Sequence, residues 1–167
     1  MCPQSVFQTE LASQVESLLS CPHCHSSMEY NGRSILCTKN HCFDLAKQGY
    51  VNLLTHGLKT KYHKELFQAR KNLHLMGFYQ PLDQAISNLI TPIFKDLNRP
   101  LRIIDAGCGE GSHLAKIKEN LLASLGKEPL GVGIDIAKEG IQLAARSYKR
   151  IFWSVGDLAK CPFADKQ

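Results

Sequence analysis

From Leu101 onward the chain alternates short apolar runs with amphipathic stretches, and this alternation restricts the fold more than any other feature. Arg102-Ile103-Ile104-Asp105 reads as a short buried strand, and residues 111–124 as a helix. Leu130 to Asp135 reads as a second strand, 138–149 as a second helix, and Ile151 to Val155 as a third strand. A βαβαβ order implies a parallel, doubly wound α/β sheet, because parallel neighbours need a crossover that a helix supplies. The sequence stops at Gln167, soon after the third strand. A three-strand half-sheet leaves an unpaired edge and exposed apolar faces. Residues 100–167 are therefore expected to be the first half of a domain whose remainder lies beyond residue 167.

The turn after the first strand is Asp105-Ala106-Gly107-Cys108-Gly109-Glu110-Gly111. Glycines there permit positive φ and let a ligand approach the backbone closely. A pyrophosphate would want bare amides at the helix N-terminus, yet Asp105 and Glu110 bracket this loop and would repel it. The glycines also recur at every second residue rather than in the dinucleotide pattern. S-adenosylmethionine, which carries a sulfonium and an ammonium, suits such acids better. Asp135, ending the second strand, is placed to accept hydrogen bonds from both ribose hydroxyls, and Asp157, after the third, from the adenine amino group. Taken singly, these acids also read as a helix cap, a turn residue and a surface acid. Together they mark one crevice at the carboxyl edge of the sheet.

Four of the seven cysteines, Cys21, Cys24, Cys37 and Cys42, crowd into a short segment. No signal sequence or apolar run of about 20 residues is visible. Both absences point to the cytosol, where such crowding suggests metal rather than disulfide. Cys21-Pro22-His23-Cys24 has the two-residue gap of a metal knuckle, and Cys37 to His41 follows twelve residues later. Asn31-Gly32 between them signals a hairpin that would return the second pair to the first. Thiolate and imidazole in a closed tetrahedral set suit structural zinc. Neighbours on a strand face opposite ways, so only one of His41 and Cys42 can face the ion, and His41 is favoured; His25, beside Cys24, is a further candidate.

The zinc-binding module is assigned to 20–54, behind an N-terminal helical extension over 1–19 in which Phe7, Leu11, Val15, Leu18 and Leu19 recur at helical spacing. Residues 55–99 form a helical connector, with a basic helix near 64–76, Gly77 as its C-cap, and a second helix from Pro81 to Leu97 with a kink or break at Pro92. Of the formal net charge of +5, residues 55–75 carry five basic side chains (Lys59, Lys61, Lys64, Arg70, Lys71) against one acid, Glu65. Such a strip can track a phosphate backbone, or be a solvated helix face.

In this order the two modules resemble the bacterial 23S ribosomal RNA (guanine-N1)-methyltransferases of the large-subunit methyltransferase A type. The resemblance is carried by Cys21-Pro22-x-Cys24, Cys37-x-x-x-His41 and the Phe43 to Leu54 block. It continues through Gln68-Ala69-Arg70, Tyr79-Gln80-Pro81-Leu82, Asp105-x-Gly107-Cys108-Gly109-Glu110-Gly111, Asp135 and Cys161-Pro162-Phe163-Ala164-Asp165. It implies a Rossmann-like S-adenosylmethionine methyltransferase sheet behind a zinc ribbon, with zinc on Cys21, Cys24, Cys37 and His41. It further implies contacts to S-adenosylmethionine from Tyr79 and from the loop Gly109 to Ser112. The chain departs from the family in its extra N-terminal helix and in Tyr62-His63-Lys64-Glu65, which lacks the usual Gly-Asp acid. The expected activity is methyl transfer to a guanine N1 of 23S ribosomal RNA, with the proton acceptor lying in the portion after residue 167. Without that portion this stretch would be an inactive fragment. The expected partner is the RNA, with no membrane and room for a homodimer. Competing readings are a small-molecule methyltransferase and a non-catalytic zinc RNA-binding protein.

Overall fold

The computed structural model describes residues 3–57, 60–95, 97 and 99–164, with side chains from residue 10 onward in the first helix. Lys59, Asp165 and the side chain of Phe7 lie outside the described residues.

The first helix, α1 (Pro3–Glu16), turns its Leu11, Ala12 and Val15 inward. A three-stranded antiparallel ribbon follows, β1 (Met28–Tyr30), β2 (Ser34–Cys37) and β3 (Cys42–Asp44), with Tyr30 opposite Ile35 and Leu36 opposite Cys42. The hairpin signal sits one residue later than the Asn31-Gly32 pair suggests. Asn31 is still paired with Ser34, so Gly32 and Arg33 form the two-residue loop. Gly32 takes the positive φ (94°), and the Asn31 carboxamide accepts from the Arg33 and Ser34 amides. Asparagine acts here as a cap, and only the glycine is left-handed.

The second sheet is parallel and runs β4 (Tyr50–Asn52), β7 (Ile151–Val155), β6 (Leu130–Asp135), β5 (Arg102–Ala106). Its three expected strands are present, and it has a fourth that the spacing did not reveal. The Phe43 to Leu54 block leaves the ribbon and lends Tyr50–Asn52 to the edge of β7. One expected edge is thus covered, while β5 has β6 as its one partner among the described residues and leaves Ile104 43% exposed. Alternation along β4 explains its role. Val51 points into a core shared with α1 and the ribbon (Val15, Leu18, Ile35, Phe43) and with Val132 and Phe152 of the sheet. Its neighbour Tyr50 points to the other face, against Ile141, Ala144 and Trp153. The ribbon and sheet therefore share one core, and α1 seals a face of the parallel sheet.

The opposite face is covered by α4 (Ser112–Leu125) and α5 (Lys138–Ser147). Between β4 and β5 run α2 (Lys64–Leu75), which ends at Met76 with Gly77 left-handed just beyond, and α3 (Gln80–Lys95). Pro92 lies inside α3 without breaking it. The helix packs on α4 through a polar seam of buried Asp83 and Ser87 and leaves Leu82, Leu89 and Ile93 exposed. Among the described residues no helix is long and apolar enough to cross a membrane.

Candidate functional site

Two sites are built on this frame. In the ribbon, a knuckle between α1 and β1 carries Cys21 and Cys24, and the β2–β3 turn carries Cys37 and His41. The Cys24 and Cys37 sulfurs are 3.7 Å apart, and His41 Nδ1 is 3.3–3.5 Å from all three sulfurs. A tetrahedral zinc with bonds near 2.3 Å to sulfur and 2.0 Å to nitrogen would set these edges at about 3.7 and about 3.5 Å. The donor set fits the ion. Cys42, on the exposed side of β3, and His25, left-handed and exposed, are not among the four clustered groups.

The electrostatics of the ribbon are uneven. Burial pushes the Cys21 thiol up to about 11. For Cys37 burial acts the same way, but hydrogen bonds from the Ser26 hydroxyl and the His41 and Lys39 amides outweigh it and bring the thiol down to about 6. The Ser26 hydroxyl and amide lower Cys24, and bonds to Cys24 and Cys37 raise His41.

The second site is a crevice of about 370 Å³ at the carboxyl edge of the sheet. Gly107, Gly109 and Gly111 all adopt positive φ (90°, 57° and 81°), a conformation that strongly favours glycine. The loop is tied down by the next strand. Amides of Gly107 and Cys108 donate to the Ile134 carbonyl, and that of Gly109 donates to Asp135 Oδ2 at 2.8 Å. Asp135 Oδ1 accepts from the Ala137 amide at 2.7 Å. Each oxygen keeps a second lone pair, so Asp135 can still accept from a ligand.

Of the residues singled out in the sequence, Gly107, Gly109, Asp135 and Asp157 line the crevice together. Asp157 also caps the 3₁₀ turn Leu158–Lys160 through the Ala159 amide, so its two readings coexist. Asp105 sits close by: burial raises its carboxyl, with Asp135 adding to the rise and His113 and Arg70 opposing it. Cys108 and Gly111 lie beneath the loop. A Cβ on Gly111 would fall 2.3 Å from the Trp153 ring. The Cys108 thiol is held well above its usual value by burial and then by Asp105, Asp135 and Glu110, so the local field is negative.

Three residues fall elsewhere. Glu110 is buried behind the loop, accepting from the Ser112 hydroxyl, which also meets the Tyr148 hydroxyl at 2.8 Å. Glu110 thus acts on the crevice through its field and not by lining it, because the left-handed glycines on either side turn its side chain toward α4. Ser112 goes with it. Tyr79 packs edge-on against His113, with ring centroids 4.8 Å apart, and does not line the crevice.

The spacing missed the lid. Helix α2 lies across the glycine loop, so Tyr62, Leu66, Phe67 and Arg70 complete the crevice wall. Phe67 is 3% exposed, and a Cβ on Gly140 of α5 would meet its ring at 2.9 Å and the Gly109 carbonyl at 2.7 Å. A glycine inside a helix was the available signal of that close approach. The basic strip is also divided: Lys61, Lys64 and Arg70 are exposed, whereas Lys71 donates to Ser147 and lies 5.4 Å over the Tyr148 ring.

A thiolate–imidazole ribbon sharing a core with a Rossmann-like sheet, whose glycine turn and strand-end acids enclose a crevice, defines a zinc-ribbon protein with an α/β half. Residues 19–60 match the zinc-ribbon family described as "RlmA, N-terminal". Over 157 residues the chain is 45% identical to a Bacillus subtilis (strain 168) protein with the provisional name 23S rRNA (guanine-N(1)-)-methyltransferase YxjB, covering 90% of this chain and 54% of that protein. It is 30% identical over 149 residues to the Streptomyces fradiae 23S rRNA (guanine(748)-N(1))-methyltransferase, covering 89% and 51%. Among solved structures, a SAM-bound amino pentose methyltransferase from Micromonospora echinaspora aligns at TM-score 0.40 and 19% identity, covering 62% of this chain and 38% of that one. The chain is thus similar in sequence to proteins named as 23S ribosomal RNA (guanine-N1)-methyltransferases, and it spans about half the length of the curated relatives it matches.

Proposed function

We propose that this chain forms the zinc-ribbon and cofactor-binding part of an S-adenosylmethionine-dependent methyltransferase acting on a guanine N1 of 23S ribosomal RNA. The observation that carries the reading is the 45% identity across both modules in the same order. The ribbon cluster and the crevice give it chemistry. Cys21, Cys24, Cys37 and His41 would hold a structural zinc, since four protein ligands leave no position for water. S-adenosylmethionine would lie in the crevice, where it supplies a methyl group on a cationic sulfur. The left-handed glycines allow its close approach, Asp135 and Asp157 offer acceptors, and the negative field around Cys108 favours a cation. Lys61 and Lys64, exposed just before and at the start of the lid helix, are placed to meet RNA phosphates, with the target base unstacked toward the crevice. A thiolate zinc cluster in place of disulfides is at home in a reducing compartment, which supports a cytoplasmic location.

The test is genetic and chemical. Methylation at N1 blocks the pairing edge of guanine, so reverse transcription of 23S ribosomal RNA stops there. Deleting the gene that encodes this chain should abolish one such stop, and restoring it should return the stop. An unchanged pattern of stops would refute the RNA assignment. Calorimetry with S-adenosylmethionine checks the cofactor assignment separately.

A further inference from the structure

A second cluster of ligating groups lies outside both sites. Asp83 of α3 is 1% exposed, and its carboxylate faces two imidazoles on different helices. His113 Nδ1, on α4, is 2.6 Å from Oδ1, and His74 Nε2, near the end of α2, is 2.8 Å from Oδ2. The three donor atoms lie within 4.8 Å of one another. The first contact is a hydrogen bond. The second is not: despite their proximity, His74 Nε2 and Asp83 Oδ2 are both buried and both lack a hydrogen-bond partner. As a donor, the Nε2–H misses the oxygen; as an acceptor, the nitrogen sets lone pair against lone pair. Either arrangement leaves buried polar atoms unsatisfied, which disfavours it. A cation between the two resolves the conflict, because both lone pairs then point at it.

We propose that His74, Asp83 and His113 form a second metal site, with three protein ligands, for a divalent transition ion such as zinc. Two imidazoles and a carboxylate suit zinc or cobalt better than magnesium or calcium, which prefer all-oxygen shells. His74 and Asp83 line a cleft of about 350 Å³, so a fourth position is open to water or a small ligand, unlike the closed ribbon cluster. The ligands come from α2, α3 and α4, so the ion clamps the lid helix to the half-sheet beside the glycine loop.

Cobalt distinguishes the sites because thiolates give it an intense near-ultraviolet charge-transfer band and nitrogen–oxygen ligands do not. Cobalt(II) titrated into the metal-free full chain should fill one equivalent for each of the two clusters. The thiolate band should rise with one equivalent, and a weak visible band without further thiolate absorption should rise with the other. Thermal melting should move upward with the second equivalent. Asp83→Asn and His113→Ala should each remove the weak band and leave the thiolate band whole, which also shows that the variant is folded. Saturation of the unmodified chain at the ribbon equivalent alone would overturn the proposal, as would a weak band surviving Asp83→Asn.

Discussion

The Gly109 amide donates to Asp135 across 2.8 Å, so the strand-end acid holds the glycine loop in the shape it needs before any ligand arrives. The Ala137 amide takes the other oxygen. Asp135→Asn must turn an NH₂ toward one of these amides and leaves that donor unpaired. S-adenosylmethionine affinity is expected to fall about tenfold or more, roughly 1.4 kcal/mol. Calorimetry measures it, and an affinity within twofold of the parent would show that the loop needs no such tie.

Gly140→Ala sets two opposed terms against each other. Alanine gains about 1 kcal/mol of helix propensity. Its methyl would also collide with the Gly109 carbonyl at 2.7 Å and the Phe67 ring at 2.9 Å, and overpacking of this kind costs about 1–3 kcal/mol. Backbone cannot yield as a flexible side chain can, so a net loss is expected. Urea denaturation decides the sign, and a stabilised variant would mean that the lid lifts freely off the loop.

Zinc in the ribbon should hold more than the ribbon. Val132 and Phe152 of the parallel sheet share a core with Ile35 and Phe43, so metal removal is expected to loosen the α/β half as well. Chelation, or Cys37→Ala, should lower the melting temperature of the whole chain in one transition; a second, unmoved transition would show independent units. The pH dependence follows from the thiols. Cys21, held up to about 11, is protonated at neutrality and must release its proton to the solvent on metal binding, whereas Cys37, at about 6, is already thiolate. Affinity should therefore rise with pH between 6 and 8 and fall on acidification. Competition with a chromophoric chelator at both pH values reads the slope.

Glu128 ties Lys118 of α4 to Arg150 beside β7. Burial raises its carboxyl, but bonds from Arg150 and Lys118 outweigh this and hold it below its ordinary 4.5. A depressed folded value means stabilisation that is present above 4.5 and lost as pH falls through the folded value. Lys118 tells the opposite story: burial lowers its ammonium in spite of Glu128, so the pair is a modest net stabiliser. Glu128→Gln should cost less than about 1 kcal/mol at pH 7 and less at pH 3 than at pH 7. Equal costs at both values would contradict the assignment.

Exposed Lys61 and Lys64 should each contribute about one unit to the salt slope of binding to ribosomal RNA. Lys71 is engaged with Ser147 and the Tyr148 ring, so Lys71→Ala should lower stability and leave that slope unchanged. Filter binding across a salt series separates the two effects.

Local patterns were sufficient for much of this protein. Strand and helix periods from Leu101 onward specified the three core strands and their crossovers, since parallel β structure with helical connections leaves few alternatives. Cysteine spacing around a glycine turn specified the four clustered ligands, and strand parity selected His41 over Cys42. Other features rest on contacts between distant segments and have no local period. Tyr50–Asn52 is too short to announce itself, and only the open edge of β7 makes it a strand. Glu110 reads as a crevice acid, yet the left-handed glycines beside it aim the side chain at Ser112 and Tyr148.

The lid formed by α2 and the convergence of His74, Asp83 and His113 arise from three helices meeting in space. By itself the sequence determined which elements form and which donors stand close along the chain, because those depend on neighbours within a turn or a hairpin. Only the tertiary structure decided which elements pair, which acids face the crevice and which face the core, because burial and close approach depend on residues far apart in sequence.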